Sequence, residues 1–337
     1  MKPALLAVLA CPECGDDLTL ADGATATDGE ITSGFLRCAH DHRYPIRHGI
    51  PRLLSSGTVA SDDGRLETAD AFGYEWTHYP VENPYTVDQV LDWILPLTPA
   101  DFAGKVVLDG GCGTGGFAAY AADFGADLVV GFDLGDAVES ARRLRDAHPA
   151  LEIVQGDILQ PPFKPAFDLV YSIGVLQHLP EPRDGFLALA RLTRPHGRMF
   201  GWVYGHEGNE RYGRIVEPIR RLARGFRPRV VKWGLAFPLA LVLSPVLWAA
   251  YRPQSPAVLR RSVRVYRPYL EWLARAPFSF VHGVIFDQLV APTTHYVRQD
   301  ELREWFAAAG LADVVVTQRN GNSWRGLGTR PGDLPAP

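Results

Sequence analysis

Between residues 105 and 204, short apolar runs alternate with stretches whose apolar positions recur every three or four residues. The short runs predict strands over 106–109, 128–133, 152–155, 167–173 and 198–204, and the periodic stretches predict helices over 116–124, 137–147 and 184–192. Strands alternating with helices on this spacing call for a mostly parallel sheet covered on both faces. A helical stretch near 86–97 precedes this block, and a helix with further strands follows from about 298. In such doubly wound sheets a ligand lies beyond the carboxyl ends of the strands, where the strand order reverses.

The first strand runs into Asp109-Gly-Gly-Cys-Gly-Thr-Gly-Gly116, a turn too rich in glycine to carry side chains. Its glycines permit positive φ and close approach of a ligand, and the helix that follows offers unpaired N–H groups. The turn alone suits a dinucleotide pyrophosphate, the methionyl part of S-adenosylmethionine, or no ligand, and Gly111, Gly113 and Gly116 satisfy the nicotinamide-type Gly-x-Gly-x-x-Gly pattern. The other strand ends narrow the choice. The second ends in Phe132-Asp133-Leu134, with an acid about twenty residues past the glycines, placed to accept from a ribose diol. The third leads to Gly156-Asp157-Ile158, a carboxylate for an adenine amino group beside an apolar side chain for the base, and the fourth gives Ser172 and, just beyond, His178.

Val107-Leu-Asp-Gly-Gly-Cys-Gly-Thr-Gly115, Gly131-Phe-Asp-Leu134, Gly156-Asp-Ile-Leu159 and Phe167-Asp-Leu-Val-Tyr-Ser-Ile-Gly-Val-Leu-Gln-His-Leu179 resemble the motifs of class I S-adenosylmethionine-dependent methyltransferases. The match continues through 192–200 and 295–311. The resemblance implies a seven-stranded Rossmann-like α/β sheet and S-adenosylmethionine as cofactor. It places Gly111, Gly113 and Gly115 at the methionyl part, Asp133 at the ribose, Asp157 and Ile158 at the adenine, and Asp109, Leu134 and Ser172 in the same cofactor pocket. An aromatic cluster, Phe72, Tyr74 and Trp76, precedes the sheet and is expected either to close over the cofactor by cation–π attraction or to pack the linker.

Four cysteines in 337 residues make no disulfide framework. Three of them fall in the first forty residues: Cys11-Pro-Glu-Cys14 is a CxxC knuckle, and Cys38 is followed by His40, Asp41 and His42. Cys11, Cys14 and Cys38 with His42 would close a tetrahedral structural zinc site, with Asp41 or His40 as alternative fourth ligands. About fifty residues hardly build an independent core without such a staple. The segment resembles the zinc ribbons that precede some bacterial methyltransferase domains, and the expected division is a ribbon at 1–56, linker and helix at 57–100, the methyltransferase domain at 101–204 and 294–337, and a helical substrate-cap insert at 205–293.

The insert departs from the common pattern. Arginines stand at 211, 214, 220, 221, 224, 227 and 229 with Lys232, and an uncharged apolar run follows from 234 to 251. Pro238 and Pro245 predict broken helices capping the site, with interfacial membrane contact and a true span as alternatives. Basic plus apolar suits a small or lipid-like acceptor with an anionic head, or an anionic bilayer. Candidate bases are His178 and His206, the latter just past the fifth strand, with His282 and His295 ranked lower. The net charge of −4 disfavours nucleic acid. The N-terminus has no signal-peptide pattern, so a cytoplasmic location is expected, with membrane association through the insert. The reading is O-methylation of a biosynthetic acceptor, with an RNA-base methyltransferase and a non-catalytic binding protein as alternatives.

Overall fold

In the computed structural model, residues 1–61, 64–67, 69, 73, 86–223, 225–252, 267–291 and 293–332 are described. Strands β1 (Thr19–Leu20), β2 (Thr25–Thr27), β3 (Glu30–Arg37), β4 (Arg43–Arg47) and β5 (Ile50–Leu53) form the N-terminal ribbon. Then come β6 (Val106–Gly110), β7 (Leu128–Asp133), β8 (Leu151–Gly156), β9 (Phe167–Ile173) and β10 (Thr193–Tyr204), with β11 (Ala312–Arg319) and β12 (Ser323–Thr329) at the end. The expected seven-stranded sheet is present in the order β8-β7-β6-β9-β10-β12-β11. Strands β6 to β10 run parallel, and β12 lies antiparallel to both its neighbours. The order reverses between β6 and β9, which opens a crevice at their carboxyl ends.

Alternation within each strand builds the core on both faces. Leu108, Val130, Val154 and Val170 pack on one side, while Val107, Val129, Ile153 and Leu169 pack on the other. Helices Gly116–Asp123 and Ala137–Ala141 cover the sheet, the second tightening into a 3-10 turn over Arg142–Asp146 before the expected helix end. The helix Val87–Ile94 begins at a capping box in which Thr86 and Gln89 exchange side-chain bonds with each other's backbone N–H.

The ribbon is sewn onto the sheet rather than hung from it. β5 runs parallel to β8, Arg52 opposite Gln155 and Leu53 opposite Gly156, so the ribbon strands extend the sheet edge. Leu5, Leu9, Leu36 and Ile46 share one apolar cluster with Phe132, Val154 and Phe167. A charged clasp closes the seam: Arg145 Nη2 donates to Glu30 Oε2 at 2.8 Å and to Glu152 Oε1 at 2.9 Å. Glu152 is 1% exposed, and burial raises its pKa against the pull of Arg145.

The insert folds as helices Glu210–Ala223, Pro228–Tyr251, Arg267–Leu273 and Phe278–Val290. The prolines do not break the apolar run as the sequence led one to expect. A π-helical turn over Val231–Ala236 leads straight into Phe237–Tyr251, so that Pro238 and Pro245 both lie within one continuous helical run. Nor is the run buried as a cap, since 33% of its most apolar window is buried.

Removing the arginine of the clasp takes from the buried Glu152 its guanidinium partner and leaves the Lys2 N–H, at 3.2 Å, as its hydrogen-bond donor. Arg145→Ala is expected to lower the unfolding free energy by about 3 kcal/mol in urea titrations, and Glu152→Gln in the same background should recover part of the loss.

Candidate functional site

The turn after β6 is held by the strand beside it. Gly111 N–H and Cys112 N–H both donate to the Phe132 carbonyl, at 2.8 and 3.0 Å. Gly113 N–H donates to Asp133 Oδ2 at 3.0 Å, and Gly135 N–H donates to Oδ1 at 3.0 Å. Gly111 and Gly113 adopt φ of +80° and +53°, and a Cβ on Gly111 would stand 2.5 Å from the Val175 side chain. No other residue fits there without displacing the loop after β9. Gly115, at φ +81°, caps the helix that follows, and a Cβ there would lie 3.1 Å from Ala141, so this glycine serves helix packing.

A cavity of about 240 Å³ opens over this turn. Asp109, Gly111, Gly113, Asp133, Leu134, Asp157, Ile158 and His178 all line it, as the sequence suggested. Asp109 is almost wholly buried at the end of β6, and its Oδ2 has no hydrogen-bond partner. Burial, with Asp133 nearby, pushes its carboxyl up to about 8. Burial likewise raises Asp133, against the backbone N–H groups that favour its charged form. An orphaned carboxylate oxygen facing a bare, positive-φ turn is a fitting receptor for a cationic, nucleoside-bearing ligand.

Other residues take different places. Ser172 is fully buried and donates to the Gly110 carbonyl at 2.8 Å, bracing the turn from behind instead of lining the cavity. Asp157 is already engaged: Thr58 Oγ1 donates to its Oδ2 at 2.9 Å, Arg65 pairs with the same oxygen, and Leu159 N–H donates to Oδ1 at 2.9 Å. Phe72, Tyr74 and Trp76 lie outside the described residues. His206 is exposed and lines a separate depression with Arg214 and Glu217. His282 Nε2 bonds to the Lys232 carbonyl at 3.0 Å inside the insert, and neither it nor His295 lines the cavity.

The far end of the cavity holds groups that strand-end reasoning did not reach: Trp93, Trp202 and Asp287. Trp93 and Trp202 stack with centroids 5.0 Å apart, and Tyr204 meets His178 edge to face at 5.8 Å. His178 Nδ1 donates to the Thr293 carbonyl at 2.9 Å, which fixes the tautomer and makes Nε2 the acceptor nitrogen. Burial lowers this imidazole to about 4, so it is neutral at physiological pH. Asp287 comes from helix Phe278–Val290 of the insert, and burial pushes it up to about 7 while Arg220 pulls it down. Its neighbour Gln288 ties the helix to the sheet through a 3.0 Å bond from Nε2 to the Tyr204 hydroxyl. A lone acid in the apolar stretch 277–292 was the available signal, but nothing in the sequence joins residue 287 to residue 111.

In the ribbon, Cys11, Cys14, Cys38 and His42 converge, their ligand atoms all within 4.8 Å of one another. The separations are 3.5 Å from Cys11 Sγ to His42 Nδ1, 3.4 Å from Cys38 Sγ to the same nitrogen, and 3.7 Å from Cys14 Sγ to Cys38 Sγ. A tetrahedron with zinc–sulfur bonds of about 2.3 Å and a zinc–nitrogen bond of about 2.0 Å has edges of roughly 3.5 to 3.8 Å. The alternatives for the fourth ligand are turned elsewhere, His40 to Asp16 at 2.8 Å and Asp41 to Arg43 at 3.2 Å. The Tyr44 hydroxyl sits 3.2 Å from Cys11 Sγ, in position to donate to a thiolate.

Residues 108–201 match the family model described as a methyltransferase domain. A ubiquinone biosynthesis O-methyltransferase of Stutzerimonas stutzeri is 29% identical over 150 residues, covering 41% of this chain and 62% of that protein. A tRNA U34 carboxymethyltransferase of Photobacterium profundum is 28% identical over 191 residues, 53% of this chain and 58% of that protein. The chain therefore spans less than two thirds of these relatives. Among solved structures, the magnesium protoporphyrin IX methyltransferase of Synechocystis PCC 6803 superposes with a TM-score of 0.43 at 17% identity, over 82% of this chain and 100% of that one. Strand order, the glycine turn and the family match agree that residues 108–201 form a methyltransferase domain.

Proposed function

We propose that the chain methylates a hydroxyl of a small or lipid-like biosynthetic acceptor held between the sheet and the insert. The observation that carries this reading is one cavity lined by both the glycine turn, Asp109 and Asp133 and by His178, Tyr204 and Asp287. Bound S-adenosylmethionine supplies a methyl group on a cationic sulfur, already activated for in-line displacement. Asp133 keeps acceptor capacity for a ribose diol, Leu134 and Ile158 flank the base, and Asp109 offers its orphaned oxygen to a cationic part of the ligand. Asp157, still held by Thr58, receives an adenine amino group on Oδ1. Trp202 and Trp93 exclude water and give an acceptor ring a flat wall.

A hydroxyl acceptor must lose its proton, and Asp287 is the group poised to take it. We read His178 as the residue that orients the acceptor through Nε2. The two assignments differ in pH dependence. A base whose carboxyl lies near 7 works when ionised, so kcat falls as pH drops through about 7. His178, held near 4, produces no limb in that range.

The ribbon cluster is read as a structural zinc site held by Cys11, Cys14, Cys38 and His42. Zinc closes the knuckle beside the β5–β8 seam and supplies no chemistry to the cavity. Thiolate ligands need a reducing compartment, which supports a cytoplasmic location.

Transfer of labelled methyl from the cofactor is to be assayed against phenolic and quinol-like acceptors and against unmodified RNA. Label in the small acceptors is expected; label in RNA alone would favour the alternative that the tRNA-modifying relative suggests. Asp133→Ala should weaken cofactor binding by about 2 kcal/mol in calorimetry, and unchanged affinity would remove it from the site. Asp287→Asn should lower kcat by about 10² to 10⁴-fold and abolish the limb near 7. Elemental analysis should find zinc equimolar with protein, and Cys38→Ser should lose it together with a lower melting temperature.

A further inference from the structure

The apolar helix of the insert is inside out. Its buried positions are Val231, Lys232, Ala236, Ala240, Ser244, Leu247 and Tyr251, which from Lys232 onward recur every three or four residues, and Lys232, Ala236, Ala240 and Ser244 are small or polar. This stripe faces helix Phe278–Val290, with the Lys232 carbonyl bonded to His282. The large apolar side chains point the other way: Val230, Trp233, Leu241, Val242, Leu243 and Val246 are 47 to 67% exposed. Water-facing helices of soluble domains put charge on that side, and a contiguous apolar surface of this kind marks a partner.

Charge identifies the partner. Between residues 218 and 270 the sequence has eleven arginines and lysines and no aspartate or glutamate, within a chain whose net charge is −4; of these, Arg220, Arg221 and Arg267 pair with Glu217 and Glu271 at the borders of the stretch, and Arg220 and Lys232 are buried. Arg227 and Arg229 are exposed at the start of the apolar helix, next to Phe226 at 54% and Trp233 at 54% exposure. Cationic side chains and aromatics at one end of a greasy stripe are the composition of a helix lying in the headgroup region of a bilayer. We propose that the outer face of helix Pro228–Tyr251 docks on the surface of an anionic lipid bilayer. The helix lies on the membrane instead of crossing it, because its inner stripe is committed to Phe278–Val290 and to the His282 bond. The same Phe278–Val290 helix carries Asp287, so docking sets the cavity beside the bilayer. The proposal rests on the surface of the insert and is independent of the activity assigned to the cavity.

The test is flotation of the full chain with vesicles of phosphatidylcholine alone or with about 30% phosphatidylglycerol. Binding is expected on the anionic vesicles, about tenfold weaker on neutral ones and weakened by salt. Leu241→Asp/Val242→Asp/Val246→Asp should abolish it, and Arg227→Glu/Arg229→Glu should reduce it about tenfold, with cofactor binding retained in both as a check on folding. Absence of flotation overturns the proposal. So does a wild-type dimer in sedimentation that the aspartates dissociate without any vesicle binding, or resistance to alkaline carbonate extraction, which would indicate a span.

Discussion

The chemistry of this protein depends on how closely three backbone segments approach at the reversal of the sheet. The turn after β6 hangs from the Phe132 carbonyl and the Asp133 carboxylate of β7, and it passes the loop after β9 so tightly that Gly111 has no room for a Cβ. Bare backbone here is a steric requirement. The same contact accounts for Asp109. A carboxylate at the end of β6 is sealed beneath the turn and pushed up to about 8, a cost that a cationic ligand can offset.

The two additions to the sheet act on it in different ways. The ribbon extends the edge by pairing β5 with β8, and the Arg145 clasp makes the junction part of the core. Zinc in the ribbon would thus be felt by the whole sheet through shared packing. The insert contributes above the carboxyl ends of the strands: helix Phe278–Val290 brings Asp287 to the cavity, and helix Pro228–Tyr251 offers apolar side chains outward. An amphipathic acceptor arriving from a bilayer would have a short path between those two helices.

Much of the sheet was legible because strand identity is local. The runs at 128–133 and 167–173 were bounded to the residue, since each is a buried parallel strand flanked by turn chemistry. The cysteine knuckles were legible for the same reason, their spacing being a local property of a tetrahedral site. The strand ends yielded Asp109, Asp133 and Asp157, but the prior claim of Thr58 and Arg65 on Asp157 was invisible, because those contacts cross about a hundred residues. Ser172 misled because a hydroxyl at a strand end points either into the pocket or back to the Gly110 carbonyl, and sequence does not distinguish the two.

The sequence by itself determined most of the elements, the glycine turn, the acids at successive strand ends and the cysteine and histidine spacing of the ribbon, all of which are fixed by periodicity or short spacing. Only the tertiary structure decided which way long-range neighbours face. It separated His206 from His178, brought Asp287 to the cavity, turned the small side of the apolar helix inward, and joined the ribbon to the sheet edge. Each of these depends on packing between segments distant along the chain, where burial and complementarity of whole surfaces outweigh local preference.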